Sequence, residues 1–406
     1  MSRMAEVPAT SDAQSMTIEE VARQVGTPFF VYDSSAALRA YRAFETALTK
    51  WGAFKIAYSV KTNPLARLLS DLRDAGSWAE VTSPWEFEQA LEAGFEPSEI
   101  IFNGPLKGAG IPQAAAHCAS IQIDSLDELS LIHRLAVSTK QTIAIGLRLC
   151  PPQFGGSWSR FGLSVEAGEF DEALRFVQSS SSLRLTSCHF HLRTQVDSID
   201  EYVEMALRVQ DFRSERDALQ HTWLDIGGGF PYDHRLDQED QEFRPAELVQ
   251  RLLDAWGDAP RPMLVVEPGR WIAAPCLSAV GQAIAVKRRP GEPTIVVLDM
   301  GTNQNVMAAF YEHQWTFFGE VADIGPFRLC GPLCMEDDIL SGAMDGHAPV
   351  VESLVRASNA GAYSIALARN FIQPIAPVIQ FQGGALQVLS QRGIGHVKSN
   401  ANDPVK

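Results

Sequence analysis

Several segments of the sequence place reactive side chains where strand-like runs end. Lys61 follows the run Phe54–Val60, in Tyr58-Ser59-Val60-Lys61-Thr62-Asn63-Pro64. A lysine beside apolar residues can lose proton affinity through desolvation, and the freed amine can then form a Schiff base. The same placement also suits a snorkelling lysine with its head in water. Gly227-Gly228-Gly229 follows Trp223–Ile226. Three glycines let backbone N–H groups close around a phosphate, whereas a tight turn needs only one or two. Glu267-Pro268-Gly269-Arg270 ends the run Leu264–Glu267. Its carboxylate and guanidinium could hold a cationic ring nitrogen and an anionic group, or form a plain surface ion pair.

His189 and His191 stand two apart in His189-Phe190-His191-Leu192-Arg193-Thr194-Gln195. On a strand they share a face, a spacing that can chelate a metal. No third ligand is evident, and a flat imidazole stacked on a cofactor ring is the alternative. Asn103 ends a further run, where it could simply cap a loop. Nearer the C-terminus, Gly331-Pro332-Leu333-Cys334-Met335-Glu336-Asp337-Asp338 combines a turn, a thiol and three acids. A lone cysteine is more often buried filler, but a polar acidic loop favours function. Gly361-Ala362-Tyr363 sets a tyrosine after a glycine, which also reads as a core aromatic with a satisfied hydroxyl.

These positions imply a scaffold. Eight strand-like runs, Phe54–Val60, Ala79–Thr82, Ile100–Asn103, Ile121–Asp124, Ile143–Leu149, Leu185–His191, Trp223–Ile226 and Leu264–Glu267, alternate with amphipathic stretches. Pro64–Ala75 and Pro84–Ala93 each open with proline and stop before glycine, as helices do. Leu126–Ala136 and Ser198–Arg216 read the same way. The runs are continuously apolar rather than alternating, as a parallel sheet requires. The pattern predicts an α/β fold built on a (β/α)8 barrel, with an open doubly wound sheet as the competing arrangement. Function then collects at the C-terminal ends of the strands, where the residues above lie.

After about Ala274 the character changes. Val280–Lys287, Thr294–Leu298, Val350–Val355 and Pro377–Gln382 read as strands of a second, mainly β domain. Thr27–Tyr32 is a further strand, placed either ahead of the barrel or in the C-terminal sheet. The predicted division is a tail and strand over 1–33, a barrel over 34–275 and a β domain over 276–406.

Composition bounds the function. The chain has 406 residues, with 34 Lys+Arg against 49 Asp+Glu and a net charge of −15. That length favours two domains, and that charge disfavours nonspecific nucleic-acid binding, which needs Lys and Arg on phosphates. The six cysteines form no CxxC pair and no zinc pattern, which fits a reduced, cytoplasmic protein. No apolar run is long enough to span a membrane. Met1–Ser15 is polar, lacks the apolar core of a secretory signal, and reads as a loose tail.

Taken together and in order, these segments resemble the fold-type III pyridoxal-phosphate (PLP) decarboxylases, the group of diaminopimelate, ornithine and arginine decarboxylases. The likeness runs from about residue 27 to residue 385. It implies a PLP-binding barrel, a C-terminal β domain and a head-to-tail homodimer with shared active sites. Lys61 would carry the cofactor and His191 would stack on its ring. Gly227, Gly228, Gly229, Gly269, Arg270, Thr194 and Tyr363 would surround the phosphate. Glu267 would keep the ring nitrogen protonated, which makes the ring a good electron sink. That disfavours racemase chemistry, for which the related fold sets a guanidinium at the ring nitrogen. Cys334 would come from the partner subunit as a proton donor, with Asp338 near the substrate.

The departures concern the substrate. In the segment Val306-Met307-Ala308-Ala309-Phe310-Tyr311, Met307 stands where diaminopimelate enzymes have an arginine for the distal carboxylate. Met335 stands where an acid reads the distal ammonium. Arg193 replaces a glycine before the phosphate-contacting hydroxyl, and could support the phosphate, meet an anionic substrate or face solvent. Glu80 replaces an aspartate. A site lacking both distal partners should reject a zwitterionic end. The resemblance then points to the specialised-metabolism branch, which includes carrier-bound glutamyl decarboxylation in aminoglycoside synthesis and relatives in siderophore pathways. The expected activity is α-decarboxylation of an L-amino acid or derivative, free or carrier-bound, other than free diaminopimelate. The alternatives are diaminopimelate decarboxylase of lysine synthesis and a non-catalytic PLP-binding regulator.

Overall fold

In the computed structural model, residues 16–107, 113–150, 159–323, 325–382 and 385–393 are described. The tail reading for Met1–Ser15 lies outside them.

Eight parallel strands close into a barrel: Phe54–Ser59, Trp78–Val81, Ile100–Phe102, Ser120–Ile123, Ile143–Cys150, Leu183–His189, Trp223–Asp225 and Leu264–Val266. They are called the first to eighth barrel strands below. The eighth closes on the first with Leu264 opposite Phe54. All eight predicted runs are present, and the open sheet is excluded by this closure. The runs were legible because central parallel strands bury both faces: every residue of Ile100–Phe102 and Ser120–Ile123 is buried.

Helix starts follow the punctuation. Ser83 and Ser125 accept the backbone N–H groups of Glu86 and Glu128, and Pro84 takes the first helical turn. Helix Ser34–Leu48 packs against helix Pro245–Trp256 across the barrel seam. Its Phe44 lies 4.7 Å from Phe230 and 6.1 Å from Trp271, ring centre to ring centre. Such aromatic pairs add about 0.5–1.5 kcal/mol each beyond the area they bury. They fasten the two residues that follow Gly229 and Arg270, so the packing is also what fixes the mouth of the barrel.

The lower barrel holds a polar layer. Gln122 donates to Ser187 at 2.9 Å, and Ser120 and Ser187 hydroxyls meet at 3.2 Å. Gly146 leaves room for this layer, since a Cβ there would sit 1.9 Å from Gln122 Oε1.

Phe29–Tyr32 belongs to the C-terminal sheet. It runs antiparallel to Leu277–Lys287 and parallel to Val378–Gln382. The sheet order is Trp315–Phe318, Leu354–Ala357, Leu277–Lys287, Phe29–Tyr32, Val378–Gln382, Ala385–Ser390. The run expected at Val350–Val355 is displaced: the strand is Leu354–Ala357, and Glu352 turns the chain at φ +75°. A turn with positive φ cannot continue a strand.

Candidate functional site

Two cavities of about 70 and 310 Å³ open at the C-terminal ends of the strands and share Lys61, His191 and Glu267 in their walls. Lys61 follows the first strand in a 3-10 turn, Val60–Thr62. Its Nζ donates to Ser59 Oγ and to Glu80 Oε2, both at 2.6 Å. Burial opposes its charge, but Glu80, then Tyr363 and Glu267, outweigh that and hold the ammonium above its ordinary range. This corrects the expectation that desolvation alone frees the amine. Glu80 reaches Lys61 directly. Burial raises its proton affinity, but Lys61, Ser59 and Asn103 together hold it below the usual carboxylate value.

His191 stands two residues beyond the sixth strand. Its Nδ1 accepts the Gly228 N–H at 3.1 Å. Burial, with Arg148 and Lys61 nearby, lowers its pKa to about 3, so the ring is neutral. Gly227 donates its N–H to Asp225 Oδ1 at 3.0 Å. The glycine run therefore does not offer three free amides, since two are spent inside the protein and the Gly229 N–H remains. Its glycines are required for close approach. A Cβ on Gly228 would lie 2.3 Å from the Glu267 carbonyl oxygen, and one on Gly229 would lie 1.9 Å from that of Arg193.

Glu267 and Arg270 do not pair with each other, which removes the surface ion-pair reading. Glu267 Oε1 accepts Asn103 Nδ2 at 2.6 Å, so Asn103 belongs to the site and is not a loop cap. Burial, then Asp225 and Glu80, raise the Glu267 carboxyl well above its usual range. Arg270 is buried, with Nη1 3.0 Å from His234 Nε2 and Nη2 3.4 Å from the Tyr311 hydroxyl. Its guanidinium lies over the rings of Tyr311 and Tyr363, at 4.6 and 5.0 Å. Among the described residues no carboxylate pairs with it, and its Nε and the neighbouring Thr62 Oγ1 lack partners.

A buried cation and an orphaned hydroxyl beside glycines and Thr194 fit a phosphate. The neutral imidazole and the raised carboxyl fit the ring and nitrogen of pyridoxal phosphate. Tyr363 comes from the β domain. It takes a left-handed backbone, φ +61°, and its N–H donates to the Thr62 carbonyl at 2.7 Å. Gly361 allows this approach and accepts from Asn63 Nδ2 at 3.0 Å. Gly269 lies against Thr62, where a Cβ would sit 2.2 Å from Oγ1.

Other expected residues lie elsewhere. Arg193 faces solvent, a correction only to its readings as a phosphate or substrate ligand: its side chain is exposed, pairs with Glu201 at 2.8 Å and lines neither cavity. Asp338 is another. It is buried, and its oxygens accept Thr302 N–H at 2.7 Å, the Thr302 hydroxyl at 2.9 Å and Leu333 N–H at 2.8 Å. It clamps the loop that presents Cys334 and has little capacity left for a substrate. Cys334 and Met335 are exposed and line neither cavity of their own chain. Met307 is buried in the turn Val306–Ala309. Tyr311 stacks on His234 at the phosphate end. His189 and His191 both line the larger cavity. His189 also lies beside Asp225 and Glu267, polar atoms of the three falling within 4.8 Å of one another.

Sequence reasoning missed Ser59, Thr62, Asp225 and His234. Asp225 and Thr62 flank the glycines and Lys61, so strand-end position was the available signal.

The pyridoxal-dependent decarboxylase, pyridoxal binding domain profile matches residues 36–274. The chain is 28% identical to the diaminopimelate decarboxylase of Staphylococcus aureus, over 93% of this chain and 94% of that protein. It is 25% identical to that of Bacillus subtilis, over 89% and 88%. It is similar in fold to the Helicobacter pylori diaminopimelate decarboxylase solved with L-lysine. That likeness has a TM-score of 0.83 and 24% identity, and covers 93% of this chain and 96% of that one. The Vibrio vulnificus lysine/ornithine decarboxylase solved with cadaverine gives 0.75 at 24% identity, covering 89% and 97%.

Proposed function

The chain belongs to the pyridoxal-dependent decarboxylases, and from that membership we propose that it removes the α-carboxylate of diaminopimelate. The substrate reading is carried by relatives of that name that match over nearly their whole length. They favour it over a substrate of the specialised-metabolism branch.

Bound at the barrel mouth, pyridoxal phosphate supplies the sink for the electron pair left at Cα when CO2 departs. The protein's part is to hold and to move protons. Lys61 supplies the tethering amine, and Glu80, to which Ser59 also donates, is placed to take a proton from it. Arg270, the Gly229 N–H, Thr194 and Tyr363 would anchor the phosphate. His191 offers a flat face without charge. Glu267, fixed by Asn103, would keep the ring nitrogen protonated. Cys334 lines neither cavity of its own chain, and in this reading it acts in a second copy, delivering the proton that replaces CO2. That makes the working form a homodimer. No helix among the described residues is long and apolar enough to cross a membrane, and we place the enzyme in the cytoplasm.

A second reading rests on Met307 and Met335. Neither can pair with a charged distal group, and burying such a charge unpaired costs far more than the roughly 2–7 kcal/mol of an unpaired neutral polar group. Under that reading the substrate is a modified or carrier-bound amino acid. The test is CO2 release from meso-diaminopimelate, lysine, ornithine, arginine, glutamate and carrier-linked amino acids. Turnover of meso-diaminopimelate well above the rest supports the first reading. Turnover confined to a masked or carrier-linked substrate overturns it.

A further inference from the structure

The seventh and eighth barrel strands end in two carboxyl groups that lie close together beneath the shared wall of the cavities. Asp225 is fully buried, Glu267 is 5% exposed, and their oxygens fall within the same 4.8 Å cluster. Each is held by neutral donors. Asp225 accepts Gly227 N–H at 3.0 Å and Gln122 Nε2 at 3.4 Å. Glu267 accepts Asn103 Nδ2 at 2.6 Å and has His189 Nε2 at 3.7 Å from its other oxygen. Among the described residues neither carboxyl group pairs with a lysine or arginine: Lys61 is bonded to Glu80, and Arg148 faces Asp124 at 3.4 Å.

Two neighbouring carboxylates cannot both ionise in a buried site without a cation. We propose that Asp225 and Glu267 hold a proton in common before the cofactor binds and pass it to the ring nitrogen as the cofactor seats. Asp225 is the positioning residue that keeps this proton in reach. The carboxyl O–H bond breaks, a ring N–H bond forms, and the two carboxylates then face one pyridinium. The remaining charged or titratable groups around the pair are Lys61, Glu80, Arg148, His189 and His191. Both histidines are held neutral by burial. Burial likewise raises Asp225, to about 7, so the pair takes on a second proton around neutrality. That extra proton must leave on binding.

The inference rests on the cofactor reading above, and its test separates the two. Apoprotein is titrated with pyridoxal phosphate by isothermal calorimetry in buffers of different ionisation enthalpy, from about pH 8 to about pH 6, giving net protons exchanged. The same is done for Asp225→Asn, and for Glu267→Gln as a second variant should the first fold poorly. As pH falls, the wild type should release about one more proton per bound cofactor than either variant. Coincident profiles in proteins that all turn yellow would overturn the inference while leaving the cofactor reading intact. Absence of both heat and colour in the wild type would overturn the cofactor reading, and the inference with it.

Discussion

Replacing Gly361 by alanine should loosen the tie between the β domain and the barrel mouth. A Cβ there would lie 1.8 Å from the Ala273 carbonyl oxygen and 3.1 Å from that of Ala274. Both are backbone atoms, so no side chain can rotate away, and reaching ordinary contact needs a shift of more than an ångström. Three hydrogen bonds stand in the way of that shift: Gly361 N–H to Ala274 O at 3.0 Å, Asn63 Nδ2 to Gly361 O at 3.0 Å, and Tyr363 N–H to Thr62 O at 2.7 Å. At about 1 kcal/mol net each, the variant should lose about 3 kcal/mol of stability. Tyr363 would move off Arg270, and with the loss of one charge-assisted bond, about 1.5–3 kcal/mol, cofactor affinity should fall about ten- to a hundredfold. Thermal unfolding and an absorbance titration with pyridoxal phosphate measure both. A variant with unchanged melting temperature and an affinity within about twofold of the wild type would refute the idea that this loop completes the phosphate site.

Two further outcomes are expected. Lys61→Ala should stay colourless with the cofactor, and Cys334→Ala should turn yellow but lose most decarboxylation; mixing the two should recover part of the activity, whereas no recovery would argue against sites shared between subunits. Glu80→Gln should destabilise the apoprotein most between about pH 5 and about pH 10. Glu80 is held below its ordinary 4.5, so its contribution is present above that value and fades as pH falls through the folded one. Lys61 is held above its ordinary 10.5, so its contribution is present below that and fades as pH rises through the folded value. A urea-unfolding difference that is flat with pH would contradict the pairing.

The barrel was legible because its strands are short apolar runs ended by polar residues, and each end names a site position. Lys61, His191, Glu267 and Arg270 could therefore be read in sequence. Their electrostatic state could not, because it is set across the barrel: Asn103 meets Glu267 from 164 residues away, and Glu80 decides the charge on Lys61. Arg193 and Asp338 misled for the same reason. A charged residue beside a motif looks functional until the fold supplies Glu201 or the Thr302 and Leu333 amides to occupy it. The strand Phe29–Tyr32 was recognisable as a strand, but its partners lie some 250 and 350 residues downstream.

Those two neighbours have a consequence for how the molecule is made. The strand is laid down by the ribosome before the barrel, yet both of its partners are made only after the whole barrel. The barrel is in effect an insert in the β domain, and it can close while the nascent chain is still growing. Until Val378–Gln382 emerges, Phe29–Tyr32 lacks one hydrogen-bonded edge, the kind of exposed strand that recruits wrong partners. Chains arrested after about residue 370 should therefore aggregate through their first strand, even though everything that touches the cofactor is already in place.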